Sequence, residues 1–240
     1  MARRLVLPRA FYARPTLEVA RDLIGKILVH DTPEGRTSGV IVEAEAYIGE
    51  EDPACHASAG PTPRNRPLYG PPGRAYVYFN YGMHYLVNAV TEEEGRPAAV
   101  LLRALAPLEG LPLMRLRRLR RRASTAAVPP DMELCRGPGN LTRALGISIA
   151  ENELDLTASR LHIEDRGLDA GRLAWSPRVG IRFGTEQWWR VFVAGHPAVS
   201  GSRALNARGA PAPRTVPWSG RPRRDVPTSR ARRSGAEEAG

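Results

Sequence analysis

The 240-residue chain is 42% hydrophobic and 25% charged, enough apolar material for one buried core. Its two cysteines, Cys55 and Cys135, form no CxxC pair, which argues against a disulfide scaffold or a structural zinc site, and no apolar run is long enough for a membrane-spanning helix. A formal charge of +10 favours a polyanionic partner, nucleic acid before anionic membrane, although Lys26 is the sole lysine and so arginine-heavy a chain also fits a GC-rich genome.

The apolar run after Met1 ends at Pro8, too early for a signal peptide, so a cytoplasmic location at the bacterial nucleoid is expected. Pro15 and Thr16 followed by Leu17, Val19, Ala20, Leu23 and Ile24 predict a short helix, with Thr16 as its cap and Gly25 as its stop. Lys26 to His30 reads as a strand, Pro33-Glu34-Gly35 as a turn, and Thr37 to Ile48 as a longer strand. Alternation along that strand assigns Ile41, Glu43, Glu45 and Tyr47 to one face and Val40, Val42, Ala44, Ala46 and Ile48 to the other. Two acids and a phenol backed by an apolar face suit a core strand that lines a cleft. The acids could push each other's pKa values apart, or simply occupy an exposed edge.

Gly49 to Gly73 is a long loop rich in Pro, Gly, Arg and Asn, a length that marks either function or disorder. Tyr76 to Phe79 and His84 to Asn88 alternate again, and Asn80-Tyr81-Gly82 between them reads as a hairpin tip. A tip aromatic has little of its own chain to pack on, which makes Tyr81 a candidate wedge for an external partner. Aromatic side chains beside an acid suit a flat, electron-poor ring, though a Tyr-rich strand also serves as ordinary core.

Ala98 to Leu105 predicts a buried strand in which Arg103 needs an acid, and Glu43 or Glu45 could supply it. Pro107 to Arg122 predicts a helix with Leu111, Met114, Leu116 and Leu119 near one face; its arginines form either a solvated face or a set of phosphate contacts. Asp131 to Leu134 looks helical, Arg136-Gly-Pro-Gly139 is a tight loop, and Asn140 to Leu145 is a short helix whose N-terminus could hold an anion. Leu161 to Glu164, Arg178 to Arg182 and Trp189 to Val193 predict further, antiparallel-leaning strands. From Arg208 to Gly240, eight arginines, five prolines and few large apolar side chains predict a disordered basic tail. The five histidines show no ligand spacing, which makes a metal site a weak reading, and the lack of a GxGxxG, P-loop or GxSxG motif argues against nucleotide cofactors, NTP hydrolysis and serine hydrolase chemistry.

Taken together, VEAEAYIGEEDPACH, TPRNRPLYGPPGRAYVYFNYGMHYLVN, VLLRALAPLEG, ELCRGPGNL and PRVGI resemble the alkyladenine (3-methyladenine) DNA glycosylase family from about Leu5 to Ser202. The resemblance implies a mixed α/β (α+β) fold. One domain, residues 1–203, would surround a curved antiparallel β-sheet with helices and a protruding β-hairpin, like the C-terminal domain of methionyl-tRNA formyltransferases, and residues 204–240 would form the tail. It also implies a monofunctional, cofactor-free, monomeric base-excision enzyme acting on double-stranded DNA that carries a damaged purine. By position, Glu45 matches the acid that activates water, and Arg103 and the main-chain carbonyl of Val179 match groups that help hold it. Tyr47, His56 and Tyr78 match the walls that stack a flipped base, and Asn88 matches the residue that clashes with the 2-amino group of guanine. Tyr81 matches the hairpin-tip wedge, while Met83 and Arg64 match neighbours of the DNA backbone. His84 stands where some members have another aromatic. The resemblance leaves open which purine lesion is preferred. Rival readings are a non-catalytic damaged-DNA-binding protein of the same fold, a nucleosidase using Glu43 and Glu45 as an acid pair, and a tRNA-binding module.

Overall fold

The computed structural model describes residues 5–80, 82–120, 127–207 and 209. Tyr81, Arg121, Arg122 and residues 210–240 lie outside that set, and with them the expected wedge, the end of the basic segment and most of the expected tail. In chain order the elements are β1 (Leu5–Val6), α1 (Arg9–Tyr12), α2 (Thr16–Leu23), β2 (Ile27–Thr32), β3 (Gly35–Ile48), β4 (Ala75–Asn80), β5 (His84–Val90), β6 (Ala98–Glu109), α3 (Leu111–Leu119), α4 (Pro138–Leu145), β7 (Leu161–Asp165), β8 (Leu173–Ser176), β9 (Arg190–Val193) and α5 (Arg203–Ala207).

Strand β3 organises the sheet because it is long enough to take three partners. One edge pairs first with β2 and then, past Ile41, with β9; the other edge pairs with β6. The path runs β1-β7-β2-β3-β6-β5-β4, with β8 joined through β9, and these pairings are antiparallel. The outcome is a mixed α/β domain around a curled antiparallel sheet. Val19, Ala20 and Leu23 of α2 and Leu141, Ala144 and Leu145 of α4 repeat at helical spacing. They join Ile41, Ala44, Ala46, Val100 and Leu102 of the sheet in the main core.

Two bulges set the phase of the central strands. Ile41 pairs with Leu105 and Glu43 with Ala104, so Val42 is extra on β3; Ala44 then pairs with Leu102, so Arg103 is extra on β6. This corrects the alternation read from the sequence. Ile41 lies with Ala44 and Ala46 in the main core, while Val42 packs with Ala104 and Phe192 in a smaller cluster. An added residue on a strand exchanges its two faces beyond that point.

Other expectations also shift. Pro15, not Thr16, caps α2, because Thr16 Oγ1 is engaged by Glu92 (2.7 Å). Residues 107–109 extend β6 instead of opening a helix, and α4 begins at Pro138, ahead of Asn140. On α3, Leu116 is 52% exposed whereas Arg117 and Arg118 are buried. Arg117 is held by Glu34 and by the Leu145 carbonyl, so this part of the basic helix is tied down within the chain. Arg178 to Arg182 is irregular instead of a strand, since Gly180 has φ +78° and Arg178 turns inward; the strand there is β8. Helix α5 occupies the start of the segment assigned to the tail.

Candidate active site

Cross-strand register turns the alternation into a floor. Tyr76 on β4 faces Asn88 on β5, Asn88 faces Leu101 on β6, and Leu101 faces Glu45 on β3. Tyr47 and Ala99 form one flanking row, and Tyr78 and Leu86 contribute to the other. Above this floor is a cavity of about 550 Å³, closed by His56 from the long loop, by residues 137–140 at the start of α4 and by residues 179–183. Its size is that of a small-molecule site.

Glu45 has no exposed surface and lies behind residues that line the cavity. Its Oε2 accepts from the Tyr47 hydroxyl (2.9 Å) and Arg103 Nη1 (3.1 Å), and its Oε1 accepts from the Val179 amide (2.7 Å). The contact with Val179 is thus made by its N–H. All three partners line the cavity. A carboxylate offers about four acceptor positions, so these donors leave one on Oε1. Burial above all, and then Glu45 itself, hold the Tyr47 phenol well above the usual tyrosine range, so it stays a proton donor.

Glu43 is different. Its Oε1 accepts from Arg103 Nε (2.9 Å), Arg190 Nε (2.7 Å) and the Ser200 hydroxyl (2.9 Å), and its Oε2 accepts from the Ser200 amide (2.7 Å). Burial opposes its charge, but Arg103 and Arg190 outweigh burial and hold the carboxyl below the usual range. Neither acid is itself among the lining residues, but of the partners of Glu43 only Arg103 lines the cavity, whereas Arg190 and Ser200 do not. Glu43 holds Arg103 from the Nε side. Arg103 takes both acids, where the sequence left the choice open.

His56, Tyr76 and Tyr78 form an aromatic part of the cavity lining. The His56 and Tyr78 rings are 4.4 Å apart between centroids, and a hydrogen bond joins His56 Nδ1 to the Tyr76 hydroxyl (2.8 Å). Burial, with help from Arg64, lowers the His56 pKa and leaves a neutral imidazole at neutral pH. Asn65 holds the His56 turn in place, its amide donating to the carbonyls of His56 (2.8 Å) and Gly60 (2.9 Å). Asn88 donates to the Tyr76 carbonyl (2.9 Å). Arg64 lies outside the cavity lining, donating to the Phe79 carbonyl (2.9 Å) near the Tyr78 ring, and Met83 is 59% exposed.

Sequence reasoning missed the residues that hold this site. Arg178 forms a buried pair with Asp52 (2.6 and 2.8 Å), donates to the Ala46 carbonyl (3.0 Å) and stacks on Tyr47 at 4.6 Å. It therefore anchors both Tyr47 and the segment that carries the Val179 amide. Arg190 in the apolar run RVFV carried the same signal as Arg103, a charge that must find an acid once buried. Ser200 carried no signal. Among the described residues no group of three or more His, Cys, Asp or Glu converges to hold a metal, and no helix is long and apolar enough to cross a membrane.

With fold and site in view, comparison places the chain. Residues 10–197 match the family model described as methylpurine-DNA glycosylase (MPG). A protein of Methanocella arvoryzae, provisionally named a 3-methyladenine DNA glycosylase, is 48% identical over 199 residues, covering 81% of this chain and 96% of its own length. A Rubrobacter xylanophilus protein with the same provisional name is 49% identical over 189 residues, or 78% of this chain and 94% of its own. A third, from Chlorobium phaeobacteroides, is 45% identical over 199 residues, or 82% and 96%. The chain belongs to the methylpurine-DNA glycosylase family, hydrolases of the DNA-3-methyladenine glycosylase class.

Proposed function

We propose that this enzyme acts in base-excision repair, turning a 3-methyladenine-type purine out of duplex DNA into the cavity and hydrolysing its N-glycosidic bond. Glu45 takes a proton from water as the oxygen attacks C1′. The C1′–N bond breaks, its electron pair leaves with the base, and an abasic site remains. A purine alkylated at N3 or N7 is cationic, so the departing pair neutralises it and no general acid is required. The anionic carboxylate also steadies the oxocarbenium-like sugar. The observation that carries this reading is the buried Glu45, held by three donors that all line the cavity and left with one open acceptor position. Arg103 and the Val179 main chain hold the water in this scheme.

Tyr47, His56 and Tyr78 sandwich the flipped base. A neutral His56 and a protonated Tyr47 suit a cationic ring, because they offer π-faces without a repelling charge. Asn88 on the floor stands against the 2-amino group of guanine. Tyr81, between β4 and β5 in sequence, is the wedge that fills the vacated stack, with Met83 and Arg64 near the backbone. Lys26 is paired with Asp165 (2.6 Å) and lines no part of the cavity, which supports a monofunctional enzyme without a Schiff-base step. The same reading takes the enzyme as a cofactor-free monomer at the nucleoid. Its sheet and hairpin follow the formyltransferase C-terminal architecture, and a basic tail adds sequence-independent affinity. Single-turnover release of a defined damaged purine from duplex DNA tests the proposal, and no release from any alkylated or deaminated purine would overturn it.

A further inference from the structure

The β4–β5 hairpin separates two cavities. Tyr76, Tyr78 and Asn88 face the one described above, whereas Phe79 and Tyr85, at alternate positions, line a second of about 710 Å³. His84 and Gly139 line both, so the cavities meet where β5 crosses the start of α4. The crossing is close. A Cβ at Gly139 would lie 2.6 Å from His84 Cγ, so glycine is what lets the imidazole rest on the helix.

One turn further along α4, Arg143 lines the second cavity with Arg117, Arg120 and Arg160. The last three are committed, Arg117 and Arg120 to Glu34 and Arg160 to Glu151. The Arg143 guanidinium makes no hydrogen bond or ion pair with any described residue, while its carbonyl accepts from the Gly146 amide at the end of α4. Its field reaches the crossing: burial first, then Arg143 and Arg118, lower the His84 pKa, and no carboxylate offsets them. A neutral imidazole remains an N–H donor, and a guanidinium presents a planar fork suited to phosphate.

We propose that Arg143 and His84 hold a backbone phosphate of the bound duplex, on the side of the hairpin away from the substrate cavity. The duplex is then gripped on both faces of the hairpin. This inference rests on the glycosylase reading for its partner. Continuity of the two cavities and the chain's +10 charge favour a phosphodiester of the same DNA.

The test is equilibrium binding of the full chain to an undamaged duplex across a salt series, for wild type, Arg143→Gln and Arg172→Gln. Arg172 serves as a charge control because it lines neither cavity. Removing one phosphate contact lowers the slope of log K against log salt by about 0.9, or roughly eightfold in affinity per tenfold change in salt. Arg143→Gln should show that loss and Arg172→Gln should not. A wild-type slope for Arg143→Gln, or an equal loss in both variants, overturns the site while leaving the glycosylase reading intact if the wild type still excises. A wild type that neither binds duplex nor excises overturns both.

Discussion

Glu43 and Glu45 stand two residues apart on β3, both without exposed surface and both bonded to Arg103. Around Glu43, two arginines and both donors of Ser200 make four contacts, and of these partners only Arg103 lines the cavity. Around Glu45, the donors Tyr47, Arg103 and Val179 all line the cavity and leave one position open on Oε1. The difference teaches that burial and an arginine partner do not by themselves make a catalytic acid. What separates the two in the proposed mechanism is their partners: every donor on Glu45 lines the space for a substrate, whereas Arg190 and Ser200 on Glu43 do not.

The largest effect that sharpens this contrast is expected from Glu45→Gln. It should lower single-turnover excision by about 10²–10⁴-fold, the range for loss of a general base, with duplex binding nearly intact. Glu43→Gln should do the converse. Leaving Arg190 without its carboxylate should cost about 3–5 kcal/mol of folding stability in denaturant titration, with much of the rate kept in the folded fraction. Arg178→Met removes the anchor under Tyr47 and Val179, and a misplacement on the order of 1 Å should slow excision by up to about 10²-fold.

Acid titration of stability gives a smaller effect. The Glu43 carboxyl sits lower in the folded chain than its ordinary value of about 4.3, so the unfolded state binds the proton first. The stabilisation is full above that value and is lost as pH falls through the lower folded one. Glu43→Gln should flatten this part of the profile. Tyr47→Phe, which deletes one donor to Glu45, should cost about 1.5–3 kcal/mol of transition-state stabilisation at most, read from kcat/KM.

Much of the site was legible because its signals are local. The alternation of Tyr76, Tyr78, Leu86 and Asn88 marks one hairpin face, and a lone arginine in AAVLLRAL demands an acid. The bulges at Val42 and Arg103 were not legible, because VIVEAEAY alternates without a break while the register changes in the partner strand. PRVGI alternates like a strand, yet Arg178 is drawn to Asp52, a partner 126 residues earlier that composition cannot reveal. The basic helix misled for the same reason: Arg117 is satisfied by Glu34 and by the end of α4, both remote in sequence.

The most direct test is single-turnover excision of one defined alkylated purine from duplex DNA by wild type, Glu45→Gln and Glu43→Gln, with the folded fraction of each measured beforehand. The account predicts release by wild type and by folded Glu43→Gln, with release by Glu45→Gln reduced at least about 10²-fold. Wild-type rates from Glu45→Gln, or loss confined to Glu43→Gln, would contradict it.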